Sequence, residues 1–418
     1  MKSIVRIGRG GKGKRKVAAT SAVAETLDTR LELIQALIPV GLEAVHEVLR
    51  QEVVALAGER YGRGEGQVGY ARWGQQQGSV YLADQKVGIR VPRVRNLNAG
   101  HEVPLASYQA LRAPRRADEA ALRKVLKGLS CRDYEACVEP VAETFGLSGS
   151  SISRRFKRAS ARKLAELSER DLSASDLVAI FLDGKTFGAD AMVIALGVTL
   201  DGQKVVLGFV QTATENEVVC SAFLRGLVER GLKFDQGLLC VIDGAKGLRK
   251  AVQKVFGGAA AVQRCQWHKR ENVLRYLPVG QQATFRRKLQ AAYEQPSYAA
   301  AKKALQRVRS ELASINISAV NSLDEGFEET LTLHRLGLFK ELGRSFKTTN
   351  CLENLNSLVG RRTDKVDYWK NAEQKHRWLA TTLLDLEPGL RKVSGYRQLL
   401  HLRTALQSLC KESRKVVA

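Results

Sequence analysis

Two aspartates in this sequence each follow an apolar run and precede a glycine. Asp183-Gly184 ends the run LVAIFL, and Asp243-Gly244 ends the run LLCVI. Short apolar runs of this kind are typical of buried strands, so each strand is predicted to deliver one carboxylate to an edge of a sheet. Carboxylate oxygens are the ligands that magnesium prefers in proteins.

A third carboxylate, Glu353, lies in a helical pattern. At about 100° per residue, Leu352, Leu355 and Val359 form one apolar stripe, and Glu353 projects from a different side. The residues that share that side are Thr349, Asn356, Ser357 and Gly360. Convergence of the three acids on two magnesium ions, about 3.5–4 Å apart, would suit phosphodiester chemistry.

Each acid also has an ordinary structural interpretation. Asp183 is compatible with a turn, Asp243 with a cap on the following helix, and Glu353 with a solvated helix position. The residues alone leave both interpretations open for these three. Asp201, which precedes a glycine between two apolar runs, is most simply a hairpin turn residue.

Cys265 and His268 stand three residues apart, ahead of a further helical run. A structural zinc site needs about four ligands, and no second close Cys/His pair occurs in the sequence, so a zinc finger is not expected. Cys265 is also compatible with simple packing, as buried cysteines commonly are.

The charge of the chain points to a polyanionic partner. The 418 residues include 67 Lys+Arg and 43 Asp+Glu, which gives a net charge of +24 and a pI of about 9.9. Nucleic acid is favoured over a membrane surface, and a protein that is merely basic is the alternative. No apolar run approaches the roughly 18 residues of a membrane span, and the seven scattered cysteines fit reduced thiols, so a cytoplasmic location is predicted.

The strand and helix patterns predict an α/β fold. Apolar runs at residues 177–182, 192–200 and 205–210 precede a helix and then the strand at residues 237–243. Three antiparallel strands followed by a fourth reached through a helix are consistent with a ribonuclease-H-like catalytic core. Residues 274–345 have helical patterns without strand-like alternation and are interpreted as an all-helical insertion.

A small β-ribbon is predicted over residues 80–95, after a Gly-, Arg- and Gln-rich stretch at residues 58–77 that is interpreted as a loop. In the ribbon, Val87, Ile89 and Val91 alternate with charged residues. Arg93 and Arg95, with Arg90, are candidate DNA contacts. A solvated strand face would have the same pattern, and the two interpretations stay open.

Residues 134–157 have the form of a helix, a tight turn with glycine and a second helix. This pattern matches a helix-turn-helix, in which Ser151, Arg154, Arg155 and Lys157 would be offered to the major groove of DNA. An ordinary helical hairpin is the alternative.

The composition shifts divide the chain into seven predicted segments, of which the N-terminal ones are mainly helical and DNA-binding. They are a basic flexible arm (1–30), a helical and β-ribbon region for DNA or dimer contacts (31–115), the helix-turn-helix domain (116–170), the first part of the core (171–273), the insertion (274–346), the completing core helices (347–385) and a helical C-terminal tail (386–418).

Several motifs together resemble bacterial insertion-sequence transposases of the Mutator-like type. The resemblance extends from about residue 42 to residue 378. The segments that carry it are VPRVR at 91–95, Asp183-Gly184, GVTLDG at 197–202, RGL at 230–232, DGAKGL at 243–248, QRCQWHKRENV at 263–273, NCLENLN at 350–356 and RRT at 361–363.

The resemblance implies a DDE transposase in which Asp183, Asp243 and Glu353 bind two Mg²⁺ ions, with Mn²⁺ as a substitute. It places the helical insertion between the second Asp and the Glu. The family's Cys-x-x-His signature maps onto Cys265 and His268, which are therefore candidate catalytic residues. His268 would orient the scissile phosphate. The basic residues that follow Glu353 and are predicted to contact DNA are Arg361, Arg362 and Lys365.

The predicted function follows from this resemblance. A dimer or larger assembly would bind double-stranded DNA at the terminal inverted repeats of a mobile element, cleave the 3′ ends and join them to target DNA, in the bacterial cytoplasm at the nucleoid. The alternatives are a catalytically silent, transposase-derived DNA-binding protein and a general ribonuclease-H-like nuclease.

Overall fold

The computed structural model describes residues 41–62, 68–82, 85–112, 117–128, 149–187, 190–212, 216–366 and 368–417. These residues fall into two compact units, within 1–159 and within 160–418. The two are called the N-terminal unit and the C-terminal unit. No helix in the described ranges is both long enough and apolar enough to cross a membrane.

The N-terminal unit is built on an antiparallel sheet with one face covered by a helix. Its elements are helix α1 at residues 41–57, β1 (Tyr70–Leu82), β2 (Gln85–Asn96), β3 (His101–Val103), α2 (Ala106–Arg112) and α3 (Ala117–Leu126). The expected alternation in β2 is confirmed, because Val87, Ile89 and Val91 are buried and pack with Val45 and Leu49 of α1.

The loop predicted over residues 58–77 is wrong for its second half. Residues 70–77 belong to β1, which pairs with β2 from Tyr70↔Asn96 to Leu82↔Gln85. Glutamine and glycine are uncommon in strands, but the antiparallel partner supplies the backbone hydrogen bonds that local propensity does not favour.

The C-terminal unit contains a five-stranded mixed sheet. Its strands are β4 (Leu177–Phe187), β5 (Asp190–Thr199), β6 (Lys204–Thr212), β7 (Leu238–Ile242) and β8 (Ala260–Arg264), in the order β6-β5-β4-β7-β8. The first three are antiparallel, whereas β7 is parallel to β4 and β8 is parallel to β7. An α/β fold is thereby confirmed, and β8 is a strand that the sequence patterns did not predict.

Helices cover both faces of this sheet. Helices α5 (Glu217–Glu229) and α6 (Lys246–Phe256) pack on one face through a core that includes Ile180 and Leu182 of β4. On the other face, Phe181 of β4 stacks on Phe346, with ring centroids 5.5 Å apart. The alternation of side chains along β4 therefore buries the strand on both sides.

Residues 266–363 form helices and turns, as expected. The helices are α7 (Gln266–Leu274), α8 (Val279–Tyr293), α9 (Tyr298–Ala313), α10 (Ile317–Asp324), α11 (Phe327–Thr330), α12 (Thr332–Arg335), α13 (Phe339–Phe346) and α14 (Asn350–Thr363). Helices α7 to α10 share their own apolar core, which includes Leu289, Leu305 and Leu323.

The predicted helix-turn-helix is described only in its second half. Helix α4 (Gly149–Ser168) contains the expected second helix and continues across the boundary between the two units. The first helix and the turn, at residues 134–148, lie outside the described residues.

The C-terminal helices are joined to the sheet. Helix α15 (Ala372–Leu386) is followed by α16 (Leu399–Val417), in which Leu399, Leu402 and Leu406 are fully or almost fully buried. Arg403 of α16 donates a hydrogen bond to the carbonyl of Leu177 at the start of β4, at 2.9 Å. Helix α16 is therefore part of the core of the C-terminal unit.

We expect Leu402→Ala to lower the free energy of unfolding by about 2–5 kcal/mol, because it leaves a cavity beneath α16. Leu400, two residues earlier on the same helix, is 61% exposed, so Leu400→Ala is the matched control and should change stability by less than about 0.5 kcal/mol. Urea unfolding followed by circular dichroism measures both. Equal stability of the two variants would contradict the packing of α16 on the sheet.

Candidate active site

Asp183 and Asp243 lie beside each other in the sheet, at the point where β7 ends. Strands β4 and β7 are parallel neighbours, and their last paired residues are Leu182 and Ile242. Asp183 is the next residue within β4, which continues to Phe187, and Asp243 directly follows the end of β7. Neighbouring strands lie about 4.8 Å apart. Asp183 is only 6% exposed and Asp243 is partly exposed.

The strand that carries Asp183 faces the helix that carries Glu353. Phe181 and Lys185 lie on the same face of β4 as Asp183, because alternate residues of a strand share a face. Phe181 stacks on Phe346, and Nζ of Lys185 donates a hydrogen bond to the carbonyl of Asn356. Asp183 therefore lies between two contacts to the segment at residues 346–356, which includes Glu353.

Helix α14 presents Glu353 as its sequence pattern predicted. Leu352, Leu355 and Val359 are completely buried, and Glu353 is half-buried on another side of the helix. Oε1 of Glu353 lies 3.1 Å from the hydroxyl oxygen of Thr349. The interpretation of Glu353 as a merely solvated residue is therefore not supported.

Asp183 is not a turn residue, and Asp243 is not the N-cap residue of the helix that follows it. Asp183 and Gly184 of β4 pair with Ile194 and Val193 of β5, so Asp183 is a strand residue. Oδ1 of Asp243 accepts a hydrogen bond from the N–H of Ala245 at 3.0 Å, but Ala245 is itself the N-cap residue of α6. The predicted turn at Asp201 is confirmed, since it joins β5 to β6.

A buried arginine explains the glycine that follows Asp243. Gly244 has a φ of +112°, and a Cβ there would lie 2.0 Å from Nε of Arg264. Arg264 is 4% exposed and donates to the carbonyl of Glu325 at 2.9 Å. The guanidinium thus packs directly against the backbone beside Asp243 and ties it to the end of α10.

Lys185 and Arg264 are neighbours of the acids that the sequence patterns did not single out. Lys185 stands two residues after Asp183, and that spacing is a signal for the same strand face. Burial lowers the pKa of Lys185 below its usual value, and the nearby carboxylate of Asp364 offsets only part of this change. Arg264 belongs to the motif at residues 263–273, but its contact with Gly244 has no local signal, because it joins the end of β8 to the loop after β7.

Cys265 and His268, at the start of α7, both lie close to Thr349 at the start of α14. The N–H of Cys265 donates to the carbonyl of Ile242 at 2.8 Å, so the motif is fixed to the strand end that precedes Asp243. The hydroxyl oxygen of Thr349 lies 3.7 Å from Sγ of Cys265 and 3.3 Å from Nδ1 of His268. Burial raises the pKa of the Cys265 thiol, so the sulfur keeps its proton at neutral pH.

The donor chemistry of the site fits magnesium. Asp183, Asp243 and Glu353 would supply hard oxygen ligands from one side of the sheet. Among the residues that the structure describes, no group of three or more His, Cys, Asp or Glu side chains is arranged to hold a metal ion. The magnesium and manganese ligand set therefore stays a prediction.

The candidate DNA contacts in the N-terminal unit differ in their surroundings. Nε of Arg93 donates to Glu102 at 2.9 Å. Arg95 donates to the carbonyl of Gly100 at 2.9 Å and lies over the ring of Trp73, 4.7 Å from its centroid. Both arginines are thus held within the ribbon, and DNA contact by either stays a prediction.

One residue of the predicted helix-turn-helix surface was assigned to the wrong face. Arg155 is only 4% exposed, because it falls in the buried stripe of α4 with Ile152 and Phe156. Arg154 and Lys157 are exposed, as expected. The side chain of Ser151 lies outside the described residues.

Basic residues also follow Glu353, both on α14 and directly after its end. Arg361 and Lys365 are exposed. Arg362 is partly buried and forms an ion pair with Asp385 at 3.3 Å. DNA contact by these three residues stays a prediction.

The family model and the known proteins that match this chain are all transposases. A model of the family described as "Transposase, Mutator family" matches residues 13–390. The transposase for insertion sequence element IS905 of Lactococcus lactis subsp. lactis is 28% identical over 356 residues, which cover 82% of this chain and 86% of that protein. The transposase for insertion sequence element ISRM5 of Rhizobium meliloti is 27% identical over 386 residues, with 87% and 92% covered.

A third relative is the transposase for insertion sequence element IS256 in transposon Tn4001 of Staphylococcus aureus. It is 27% identical over 312 residues, which cover 71% of this chain and 76% of that protein. The family match covers most of both compact units.

A buried lysine beside the site makes stability depend on pH. The side chain of Lys269 is completely buried, and Nζ donates to the carbonyl of Ser322 at 2.5 Å. Burial, together with repulsion from Arg264, lowers the pKa of Lys269 from 10.5 to about 8, although Glu325 opposes the change. The folded chain therefore binds fewer protons than the unfolded chain between these two values, and stability rises with pH there.

We expect the free energy of unfolding of the wild type, relative to Lys269→Met, to rise by roughly 1 kcal/mol from about pH 7 to about pH 9. Urea unfolding at each pH measures this difference. Leu402→Ala removes no ionisable group, so its difference from the wild type should not vary with pH. If the difference in unfolding free energy between the wild type and Lys269→Met also stays constant with pH, the lowered pKa of Lys269 is contradicted.

Proposed function

Because this chain belongs to the Mutator family of transposases, as its match over residues 13–390 shows, we propose that it cuts the DNA ends of a mobile element and joins them to target DNA. The family resemblance of the sequence motifs is confirmed by that match. In this proposal the protein binds the terminal inverted repeats, hydrolyses a phosphodiester at each 3′ end and directs each 3′-OH at target DNA.

One observation carries the catalytic part of the proposal. Asp183 lies between the Phe181–Phe346 and Lys185–Asn356 contacts, on the face of β4 that meets the Glu353 segment. Asp243 follows the neighbouring parallel strand. Two acids beside each other in the sheet, with a third on the helix that meets the Asp183 face, support metal-dependent phosphodiester chemistry, which needs carboxylates that can converge on metal ions.

A ribonuclease-H-like core is part of the proposal. The strand order β6-β5-β4-β7-β8 supports it, because three antiparallel strands are followed by two parallel strands reached through helices. Helices on both faces of the sheet support it as well. Residues 274–346, which are helical and have their own core, would then be an insertion between Asp243 and Glu353.

In the proposed enzyme, Asp183, Asp243 and Glu353 would hold two Mg²⁺ ions, and Mn²⁺ would substitute for them. Bound ions of this kind activate the attacking oxygen of a phosphodiester reaction and stabilise the leaving oxygen. The chain itself fixes the direction of the carboxylates. The N–H of Ala245 holds one oxygen of Asp243, and Lys185 ties the Asp183 strand to the Glu353 helix.

The basic charge supports binding to DNA. The net charge of +24 belongs to the whole chain, and Arg154, Lys157, Arg361 and Lys365 are exposed cations within it. Helix α4 would read the element end, and the cations after Glu353 would contact the phosphate backbone near the site. Two ends must be cut and joined together, so we propose a dimer or a larger assembly.

A catalytically silent, transposase-derived DNA-binding protein is the second candidate. It would keep recognition of the element end without catalysis, and the exposed cations Arg154 and Lys157 of α4 support it as well as they support the enzyme. The presence of all three acids, and the way Lys185 joins β4 to α14, favour activity. A magnesium-dependent strand-transfer assay with the full chain separates the two.

We expect Asp243→Asn to abolish magnesium-dependent cleavage of DNA that carries the element end, because it removes a ligand charge without changing the side-chain shape. The substrate is a DNA fragment taken from the sequence that flanks the gene. Nicked product is measured on a denaturing gel, with Mg²⁺ and with a chelator.

Asp201→Asn is the matched control, because Asp201 also precedes a glycine but lies in the β5–β6 turn. It should cleave like the wild type. Cleavage by Asp243→Asn at the wild-type rate would refute the catalytic assignment. Binding to the element end without metal should be unchanged in both variants, which shows that they are folded.

We expect Arg154→Ala to weaken binding to the element end about 3–10-fold at fixed salt, because α4 would lose an exposed cation facing DNA. Lys163→Ala is the control on the same helix, since Lys163 is paired with Glu166 at 2.7 Å. Fluorescence anisotropy at matched ionic strength measures both. Equal affinity of wild type and Arg154→Ala would remove α4 from the DNA interface.

A further inference from the structure

One buried hydroxyl connects the Cys265–His268 motif to a candidate metal ligand. Thr349 is completely buried. Its Oγ1 lies 3.1 Å from Oε1 of Glu353, 3.3 Å from Nδ1 of His268 and 3.7 Å from Sγ of Cys265. Helices α7 and α14 are thereby linked through a single side chain.

The hydroxyl is not used as a helix cap. Thr349 is the N-cap residue of α14, where a threonine side chain usually accepts a hydrogen bond from a backbone N–H of its own helix. No such bond forms here. The preceding Thr348 accepts from the N–H of Asn350 at 3.4 Å instead. Thr349 is thus available to the three side chains around it.

The chemistry of Glu353 and His268 gives a consistent direction to two of these hydrogen bonds. A hydroxyl has one hydrogen to donate and two lone pairs to accept. An ionised Glu353 can only accept, so the Thr349 hydrogen points to Oε1. Nδ1 of His268 must then carry the hydrogen that it shares with Oγ1 of Thr349. The negative charge of the carboxylate strengthens the hydrogen bond from Thr349, and this favours donation from His268 to Thr349 and from Thr349 to Glu353.

Cys265 fits a supporting role better than a ligand role. It is completely buried, and burial raises the pKa of its thiol, whereas a metal-bound cysteine is a thiolate. Its N–H is bound to the carbonyl of Ile242, directly before Asp243. The sulfur packs against one side of the Thr349 hydroxyl. The backbone of Cys265 fixes the position of α7 relative to β7.

We propose that Thr349 is a positioning residue, whose hydroxyl takes a hydrogen bond from His268 and gives one to Glu353, and so orients the Glu353 carboxylate towards the metal site. This inference rests on the proposed function, in which Glu353 is a metal ligand. It gives the Cys-x-x-His motif of this chain a role through Thr349, with no metal of its own. Outer hydrogen bonds to metal ligands typically contribute about 10–100-fold to metal affinity or activity.

The test compares Thr349→Val, which keeps the shape and removes the hydroxyl, with Thr349→Ser, which keeps the hydroxyl. We expect Thr349→Val to lower the cleavage rate about 10–100-fold and to raise the half-saturating Mg²⁺ concentration. Thr349→Ser should restore both. Affinity for the element end without metal should not change, so the loss appears in turnover and not in DNA binding.

Thr348→Val is the matched control, since Thr348 is the adjacent buried threonine and binds only a backbone N–H among its described contacts. It should cleave like the wild type. Cleavage by Thr349→Val at the wild-type rate under limiting Mg²⁺ would overturn the inference. An equal loss in Thr348→Val and Thr349→Val would also overturn it, because it would indicate a packing effect.

Mn²⁺ binding to the full chain without DNA provides a readout that does not require activity. Free Mn²⁺ is measured by electron paramagnetic resonance. We expect weaker binding in Thr349→Val and normal binding in Thr349→Ser. If the wild type binds Mn²⁺ but cleaves no DNA end, the proposed function fails and this comparison still decides the inference. If the wild type does not bind Mn²⁺, both fail.

The role of His268 is tested in the same assays. His268→Asn places an amide N–H near the position of Nδ1, whereas His268→Gln places it further out, near the position of Nε2. We expect His268→Asn to keep more of the Mn²⁺ affinity and of the cleavage rate than His268→Gln. The reverse order would contradict donation from Nδ1 to Thr349.

Discussion

The parallel pairing of β4 with β7 is the constraint on which the candidate site depends. Pairing of Leu182 with Ile242 brings Asp183 beside Asp243, at the point where β7 ends. A shift of one residue would turn one acid towards the opposite face, where the α5–α6 core lies, because side chains alternate along a strand. The buried apolar residues on both faces of β4 make such a shift unfavourable.

Polar contacts then connect the helices to this part of the sheet. Thr349 joins α7 to α14, Lys185 joins β4 to α14, and Arg264 joins β8 to the end of α10. All three are wholly or partly buried, so their hydrogen bonds form in a low dielectric where an unpaired polar group would be unfavourable. The region around the acids is therefore held by specific hydrogen bonds as well as by apolar packing.

The large positive charge of the chain is not all available to a partner. Arg93 is paired with Glu102, and Arg362 with Asp385. Arg155 is buried in the stripe of α4, whereas Arg154 beside it is exposed. Net charge predicts an anionic partner for the chain, but only the fold sorts the cations that can meet it from those that stabilise the protein.

The sequence by itself predicted the strands β4 to β7, the helical character of residues 274–345 and the candidate acids. Strand-length apolar runs predicted β4 and β7, and helical spacing predicted that Leu352, Leu355 and Val359 are buried while Glu353 is not. The sequence signal failed where pairing overrides local propensity, as in the glutamine-rich half of β1, and where a charged residue falls in an apolar stripe, as at Arg155.

Only the tertiary structure decided which of these residues meet. Thr349 shares a helix face with Glu353, which the pattern indicated, but its contacts with Cys265 and His268 join positions 81 and 84 residues apart. Arg264 packs on Gly244, whose φ is positive, and composition does not predict this contact. Periodicity is a local property and fixes the face of each element, whereas contacts across the sheet depend on pairing between distant segments.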